Sequence, residues 1–248
     1  LYVTQFLSLP IAGKIDGADD AKAGHVSVVS TATHTVTADI AVNPIADSGF
    51  KALGDALARV APLPATDEAN FKFVTGAYPN QLNNIAIKGG YAFIPNTGAS
   101  PNGPFRFDVN TQSLLSVIDR TARTDAGQTI NLHVAVKDQT NPDKLFVTQP
   151  WAMAFKNQRD EAYVVSAASN HLVKVAVNPA NGAATVQSDP SDATRVLQIK
   201  VGKNPRGIVV NSTDTRAYVH NFISRDVSVV DLTKAREEVM ATLPSAAL

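Results

Sequence analysis

A pattern of alternating apolar and polar residues recurs in the C-terminal half of the chain. Each copy has an apolar run that begins at a proline, a polar turn, a second run that holds a tyrosine, and a third apolar run. Tyr163 and Tyr218 follow Pro150 and Pro205 by 13 residues, and the third runs begin 9 residues after each tyrosine. Short runs of period two that are rich in Val, Ile and Tyr are typical of strands, so each copy predicts at least three β-strands.

Two earlier copies of the pattern are stretched. Residues 92–96 (Ala-Phe-Ile-Pro-Asn) match residues 217–221 (Ala-Tyr-Val-His-Asn), and Pro79 lies 14 residues before Phe93. The chain opens on Tyr2 in a similar setting. The spacings between successive aromatic anchors are 91, 70 and 55 residues, for Tyr2, Phe93, Tyr163 and Tyr218.

Repetition on this scale predicts an all-β fold, a β-propeller of four-stranded antiparallel blades. One blade cannot bury both faces of its sheet, whereas blades stacked around an axis can. A blade needs about 40–50 residues, so the spacings predict long insertions and a total of four to seven blades. We expect residues 1–248 to form one propeller domain and, because the chain begins within a repeat, to be a piece of a longer polypeptide.

The insertions are predicted to be partly irregular. The longest, residues 43–76, predicts a short helix from Asp47 to Val60, capped by Asp47 or Ser48 and ended by Pro62. Its apolar stripe indicates packing over a blade edge, with a docking element for a partner as the alternative; the stripe consists of Phe50, Leu53, Leu57 and Val60. Residues 97–106 predict a rigid loop, and residues 132–136 and 145–148 predict an outer strand pair.

Composition removes several function classes. The 22 basic and 22 acidic residues cancel, so no basic field favours nucleic acid or anionic lipid. No apolar run approaches the ~20 residues that a membrane-spanning helix needs. The absence of cysteine excludes disulfides, thiol nucleophiles and a C-x-x-C-H haem attachment within these residues.

The sequence predicts no catalytic residue, and it leaves cofactor-binding residues unassigned. Asp16, Asp19 and Asp20 cluster beside a glycine and could bind calcium, but their spacing misses the D-x-D-x-D-G pattern, which favours a solvated turn. His171 and His220 are the remaining metal candidates, although no histidine recurs at one position of the repeat, as a ring of ligands would require. His133 is expected to face solvent or a neighbouring blade.

Residues 217–221 together with 227–232 resemble the YVTN-type β-propeller repeat of bacterial and archaeal surface or periplasmic proteins. Residues 78–83, 95–101 and 204–208 are similar to exported bacterial propellers that continue into a c-type haem domain of the cytochrome c peroxidase-like kind. The resemblance implies a periplasmic or cell-surface location and a haem in an adjoining domain, with no cofactor in this chain. Within the repeat it implies structural roles for Arg206, Asn221 and Arg225.

Three functions remain open on the sequence alone. The first is a non-catalytic scaffold or docking module for a redox partner, which could be a c-type cytochrome domain of the same polypeptide. The second is a lactonase-like propeller hydrolase, which would need convergent carboxylates and a divalent metal that the repeats do not offer. The third is a cell-surface or adhesion module.

Overall fold

A computed structural model of the chain describes residues 1–52, 72–102 and 110–244. These residues form four antiparallel sheets that follow one another along the chain, together with two small hairpins. Each sheet is a blade, and successive blades pack face to face through shared apolar clusters. The predicted all-β propeller is therefore confirmed, with four blades in the part of the chain that the structure describes.

The first two blades have irregular outer edges. The strands of the first blade are β1 (Tyr2–Thr4), β2 (Leu9–Pro10), β3 (Lys22–Val29) and β4 (Val36–Val42), with β1 and β2 along one side of β3 and β4 along the other. A small hairpin, β5 (Lys51–Ala52) and β6 (Phe73–Val74), precedes the second blade. The strands of the second blade are β7 (Ala86–Lys88), β8 (Tyr91–Ala99), β9 (Thr111–Asp119), β10 (Thr124–Asp125) and β11 (Ile130–Asn131), and both β10 and β11 pair with β9.

The last two blades follow the repeat closely. A one-turn helix, α1 (Val134–Lys137), precedes the third blade. The strands of the third blade are β12 (Pro150–Phe155), β13 (Glu161–Ser166), β14 (His171–Val177), β15 (Ala184–Val186) and β18 (Gln198–Lys200), and the hairpin of β16 (Ser188–Asp189) and β17 (Asp192–Val196) interrupts its outer edge. The strands of the fourth blade are β19 (Pro205–Val210), β20 (Arg216–Asn221), β21 (Asp226–Asp231) and β22 (Glu238–Pro244).

The aromatic anchors occupy one register position in all four blades. Tyr2, Phe93, Tyr163 and Tyr218 lie on the second strand of the repeat and pair with Val28, Val117, Lys174 and Val229 of the third strand. Pro150 and Pro205 also match, because they pair with Ser166 and Asn221. Pro79 does not: Leu82 bridges Asn96 and holds the equivalent position, three residues further on. The Gly89–Gly90 turn shortens this hairpin, which shifted the sequence alignment.

Three hydrophobic clusters hold the blades together. The cluster between the first and second blades contains Val26, Ile40 and Ile94. Phe93 and Val164 share the cluster between the second and third blades, and Tyr163 and Val219 share the one between the third and fourth. Because each cluster draws on two sheets, burial of apolar area stabilises blade stacking, as in other repeat architectures.

The predicted elements in the insertions are partly wrong. Asp47 accepts a hydrogen bond from the Gly49 amide, and Gly49 has φ +80°, so a turn replaces the expected start of the helix. Residues 51–52 form β5, and residues 53–71, which include the rest of that prediction, lie outside the described residues.

The expected outer strand pair at 132–136 and 145–148 is also absent. Leu132, His133 and Val136 are buried on one side of α1, so their apolar spacing belongs to a helical turn rather than to a strand. Residues 145–148 have no strand structure. Of the predicted loop at 97–106, residues 97–99 belong to β8, and residues 103–106 fall outside the described ranges.

No helix in the described ranges is both long and apolar enough to cross a bilayer.

Candidate ligand-binding pocket

A polar pocket opens at one end of the second and third blades. Its volume is about 570 Å³, within the range of small-molecule sites. Residues from four kinds of segment line it: those just before each blade's first strand, the ends of β8 and β9, the turn after β13, and the segment around α1. The lining residues used below are Gln81, Thr97, Ser113, His133, Thr148 and Gln149.

The repeat itself creates two walls of the pocket. Gln81 precedes Leu82, and Gln149 precedes Pro150, and both glutamines have φ +48°. In the fourth blade, Asn204 precedes Pro205 with φ +53°. A left-handed residue at this position turns the chain sharply into the first strand, so the amide side chains of Gln81 and Gln149 come to equivalent places on neighbouring blades.

His133 forms the floor of the pocket and is fully buried. Its Nε2 lies in hydrogen-bond contact with the Val147 carbonyl oxygen. A carbonyl can only accept, so Nε2 carries the proton in the neutral ring and Nδ1 is the basic nitrogen. The ring is held edge-on by Phe146, at 5.3 Å between centroids, and by Phe50, at 6.1 Å.

Hydroxyl groups complete the lining. Ser113 donates a hydrogen bond to the Val147 carbonyl, and Thr148 and Ser169 are hydrogen-bonded to each other. The Thr97 hydroxyl is buried and makes no hydrogen bond to any described residue. Among the described lining residues there is no Asp, Glu, Lys or Arg. The pocket therefore offers hydrogen-bonding groups without a fixed charge, apart from any proton that His133 gains.

The acidic calcium candidates are not brought together. Asp19 is buried and acts as a clamp: its carboxylate accepts hydrogen bonds from the Gly76 amide at 2.9 Å and the Asn102 amide at 2.8 Å. Burial raises the pKa of Asp19, and these hydrogen bonds act in the opposite direction. Asp20 pairs with Lys14 at 2.5 Å, and Asp16 lies 3.7 Å from the Lys22 ammonium.

The two histidine candidates are also separate from the acids. His171 begins β14 and is fully buried, with Nδ1 3.2 Å from the Ser169 carbonyl oxygen. His220 lies on β20 and is exposed, with its ring 6.5 Å from that of Phe222. Over the described ranges, no three His, Cys, Asp or Glu side chains converge as a metal site would require. The metal candidates therefore stay predictions without a shared site.

Arg206 links the third and fourth blades. Its guanidinium lies 3.8 Å from the centroid of the Trp151 ring and 5.4 Å from that of Phe222, and its Nε donates to Asn204 at 2.8 Å. Stacking of this kind is a cation–π contact. Asn221 is buried and donates to Asp226 at 2.6 Å and Ser228 at 2.8 Å. Arg225 has φ +56° in the turn before β21.

An ionic cluster, which the sequence did not predict, lies between the third and fourth blades. Glu237 is 2% exposed, and one of its oxygens contacts the ammonium groups of Lys156 at 2.9 Å and Lys174 at 3.1 Å. The Tyr163 hydroxyl donates to the same oxygen at 2.7 Å. Glu161 contacts both lysines as well. We call these five residues the inter-blade ionic cluster.

The cluster is electrically matched and changes the acidity of its members. Burial alone would lower the pKa of Lys156, but hydrogen bonds to Glu237 and Glu161 raise it above its usual value. Burial raises the pKa of Tyr163, and the nearby Glu237 charge adds to that effect. The other Glu237 oxygen has no hydrogen-bond partner in the described structure. Because the charges pair within the cluster, we assign it to blade packing rather than to chemistry.

Comparison with known proteins supports the fold and no closer relationship. No family model and no curated protein matches the chain. Among solved structures, the chain is similar to a candidate 6-phosphogluconolactonase of Bacteroides uniformis, with TM-score 0.54 and 10% identity over 98% of this chain and 53% of that one.

Two further solved structures give the same picture. A candidate 6-phosphogluconolactonase of Bacteroides fragilis matches with TM-score 0.53 and 12% identity over 100% of this chain and 54% of that one. Hydrazine synthase of Kuenenia stuttgartiensis matches with TM-score 0.53 and 11% identity over 91% and 55%. The chain thus spans about half the length of these structures.

Proposed function

We propose that this chain is a lactonase-like propeller unit whose polar pocket binds an uncharged, polyhydroxylated lactone. The observation that carries the proposal is a cavity of about 570 Å³ lined by amides, hydroxyls and one buried histidine. Such a lining offers many hydrogen bonds to a ligand rich in hydroxyl groups. The lactone class is suggested by the two structurally similar proteins that are described as candidate phosphogluconolactonases.

The charge of the lining narrows the ligand. A phosphorylated sugar lactone carries a dianionic group, which proteins bind with Arg, Lys or clustered backbone amides. The described residues around the pocket include neither Arg nor Lys. A neutral lactone therefore fits this pocket better than a phosphorylated one.

Ring opening of a lactone needs a base and then an acid. Water adds to the carbonyl carbon, the ring C–O bond breaks, and the alkoxide that leaves takes up the proton that the water gave up. In our proposal Nδ1 of His133 accepts that proton and returns it to the leaving oxygen, while the Val147 carbonyl keeps the other ring nitrogen protonated. Side chains such as Thr97 and Gln149 hold the substrate hydroxyls.

The test is hydrolysis of D-glucono-δ-lactone, followed by acid release at constant pH and corrected for the spontaneous rate. We expect His133→Gln to lower kcat/KM at least about 100-fold, as removal of a general base does. Thr97→Val keeps the side-chain shape and removes one hydroxyl, so we expect a KM several-fold higher with little change in kcat.

His220→Gln is the matched control, since His220 is exposed on another blade, and it should hydrolyse the lactone at the unmodified rate. Circular dichroism and thermal unfolding establish that each variant is folded. Because His133 is buried, the Thr97→Val variant keeps the test decisive if His133→Gln unfolds. Lactone turnover no faster than the spontaneous rate, together with no saturable binding by calorimetry, would overturn the proposal.

A docking module remains a second candidate, because both outermost blades expose apolar side chains. Phe6 and Leu7 on the first blade and Phe222 and Ile223 on the fourth are at least half exposed. Patches of this kind mark interaction surfaces. A haem partner, a periplasmic or surface location and an adhesion role stay predictions; a haem stain and an absorption spectrum of the complete parent polypeptide test the first of these.

A further inference from the structure

The three contacts between blades use one arrangement. The aromatic anchor of each blade shares a cluster with two small apolar residues on the second strand of the next blade. Tyr2 shares its cluster with Ala92 and Ile94. Phe93 does so with Ala162 and Val164, and Tyr163 with Ala217 and Val219, in the sentence order of the chain. Each blade thus has an anchor face and an acceptor face, which we define by these residues.

The anchor face of the fourth blade has no blade against it. Tyr163 in the third blade is fully buried, whereas Tyr218 at the same register position is 37% exposed. Val209, which pairs with Tyr218, is 61% exposed, and Phe222 and Ile223 extend the patch. The difference between Tyr163 and Tyr218 comes from the neighbour and not from the strand, because both strands have the same pairing.

The acceptor face of the first blade is uncovered as well. Leu1 and Val3 flank Tyr2 as Ala217 and Val219 flank Tyr218. Ala217 and Val219 are fully buried, but Leu1 is 68% and Val3 is 44% exposed. Phe6 and Leu7 lie beside them and are also exposed. The chain therefore carries, at its two ends, both halves of the contact that it makes three times internally.

We propose that two copies of this chain associate head to tail, with the Tyr218 face of each packed on the Leu1 and Val3 face of the other. The occupant that fits each open face is the opposite end of a second copy, because the contact then continues the one already present between blades. Contacts between unlike faces close into a ring when the rotation allows it. Two four-bladed arcs give eight blades, which lies within the range of known propellers.

The area available is consistent with association rather than with an isolated surface. Monomers rarely expose contiguous apolar patches of more than a few hundred Å², and here two patches lie at opposite ends of the arc. Neither patch contributes to the polar pocket, whose described lining comes from the second and third blades and the segments beside them. The association therefore does not depend on the proposed lactone binding.

The chain has no cysteine, so introduced cysteines report contact without background. We would mix a Val3→Cys chain with a Tyr218→Cys chain under mild oxidation and analyse them on a non-reducing gel. We expect a disulfide-linked pair of twice the 26.2 kDa chain mass in the mixture. Either variant alone should stay unlinked, because like faces do not meet in a head-to-tail contact.

Sedimentation equilibrium of the unmodified chain provides the second measurement, with a pair expected at micromolar concentration. Tyr218→Glu and Val3→Glu should each give single chains with unchanged circular dichroism, whereas Ile15→Glu, an exposed loop control, should leave the pair intact. A single-chain mass for the unmodified protein up to 100 µM (roughly a hundred times that expected for pairing) would overturn the proposal. Cross-linking by the Tyr218→Cys chain alone would also overturn it, since it indicates a symmetric contact between like faces.

Discussion

His171 is a buried base on a sheet that is otherwise apolar at that point. The side chain is fully buried at the start of β14, one ring nitrogen lies near the Ser169 carbonyl oxygen, and the other has no hydrogen-bond partner among the described residues. Burial lowers the pKa of His171 to about 4. The ring is therefore neutral in the folded protein over most of the accessible pH range.

This environment predicts acid sensitivity. In the unfolded chain His171 binds a proton below about pH 6.5, whereas in the folded chain it does so only below about pH 4. The unfolded state holds more protons between these values, so stability falls as pH drops from 6.5 to 4, by up to about 3 kcal/mol. Urea unfolding across this range should show the slope, and His171→Asn should reduce it.

The control for that measurement is His34→Asn. His34 is exposed and has φ +55°, a conformation that asparagine accepts readily. Its replacement should leave the pH dependence unchanged. An equal slope in the His171→Asn variant would show that other groups cause the acid sensitivity.

At the scale of elements, the contact between the third and fourth blades combines an apolar cluster with the inter-blade ionic cluster. Glu237 approaches from the turn between β21 and β22 and meets Lys156, Lys174 and Tyr163 of the third blade. Removing one charge from a buried, paired group is costly because its partners stay buried. Glu237 thus stabilises the position of one blade on the next.

We expect Glu237→Gln to lower the free energy of unfolding by about 3 kcal/mol. Glu238→Gln is the matched control, because the neighbouring Glu238 pairs with Lys234 on the exposed surface, and its loss should leave the unfolding midpoint unchanged within error. Chemical unfolding followed by fluorescence suits the test, since Trp151, the only tryptophan, lies at this contact. Equal midpoints for the two variants would show that the ionic cluster does not stabilise blade packing.

The elements that the sequence predicts well are those with a long-range repeat. The second and third strands around Tyr163 and Tyr218 follow from spacing alone, because each position alternates between two packed faces. Elements without a second copy were harder to predict. The helix expected from Asp47 failed because the Asp47 side chain bonds to the Gly49 amide in a turn, and the strand expected around His133 is the helical turn α1.

The pocket could not be found in the same way, since its residues come from two blades that lie about 70 residues apart in the chain. The available signal was the recurrence of a polar residue just before each blade's first strand, as in Gln149 and Asn204. That recurrence gives the position of one wall but not the depth of the pocket. The depth depends on His133 and Thr97, which have no equivalent in the last two blades.

For the whole molecule, stacking of blades in a row makes stability depend on neighbours. The second and third blades each have a blade on both sides, whereas the first and fourth have one. In repeat proteins stability is close to a sum of unit and neighbour terms, so end units open more readily. The arc should therefore be most stable in the middle.

Hydrogen exchange measures this gradient. In the Tyr218→Glu variant, which is expected to be a single chain, amides of β13 and β8 should exchange at least about tenfold more slowly than those of β20. The comparison is matched because β13 and β20 have the same place in their sheets. Uniform exchange across the three strands would mean that the arc opens as one cooperative unit.

The shared register of Tyr163 and Tyr218 has a consequence for how such a protein can grow. Any internal duplication that copies one unit from turn to turn would supply a sheet that already fits the sheets before and after it. Lengthening the gene by one unit would then need no new side-chain fit, and selection could act at once on the widened rim. The loops at that rim can diversify while the stacking surfaces stay constant.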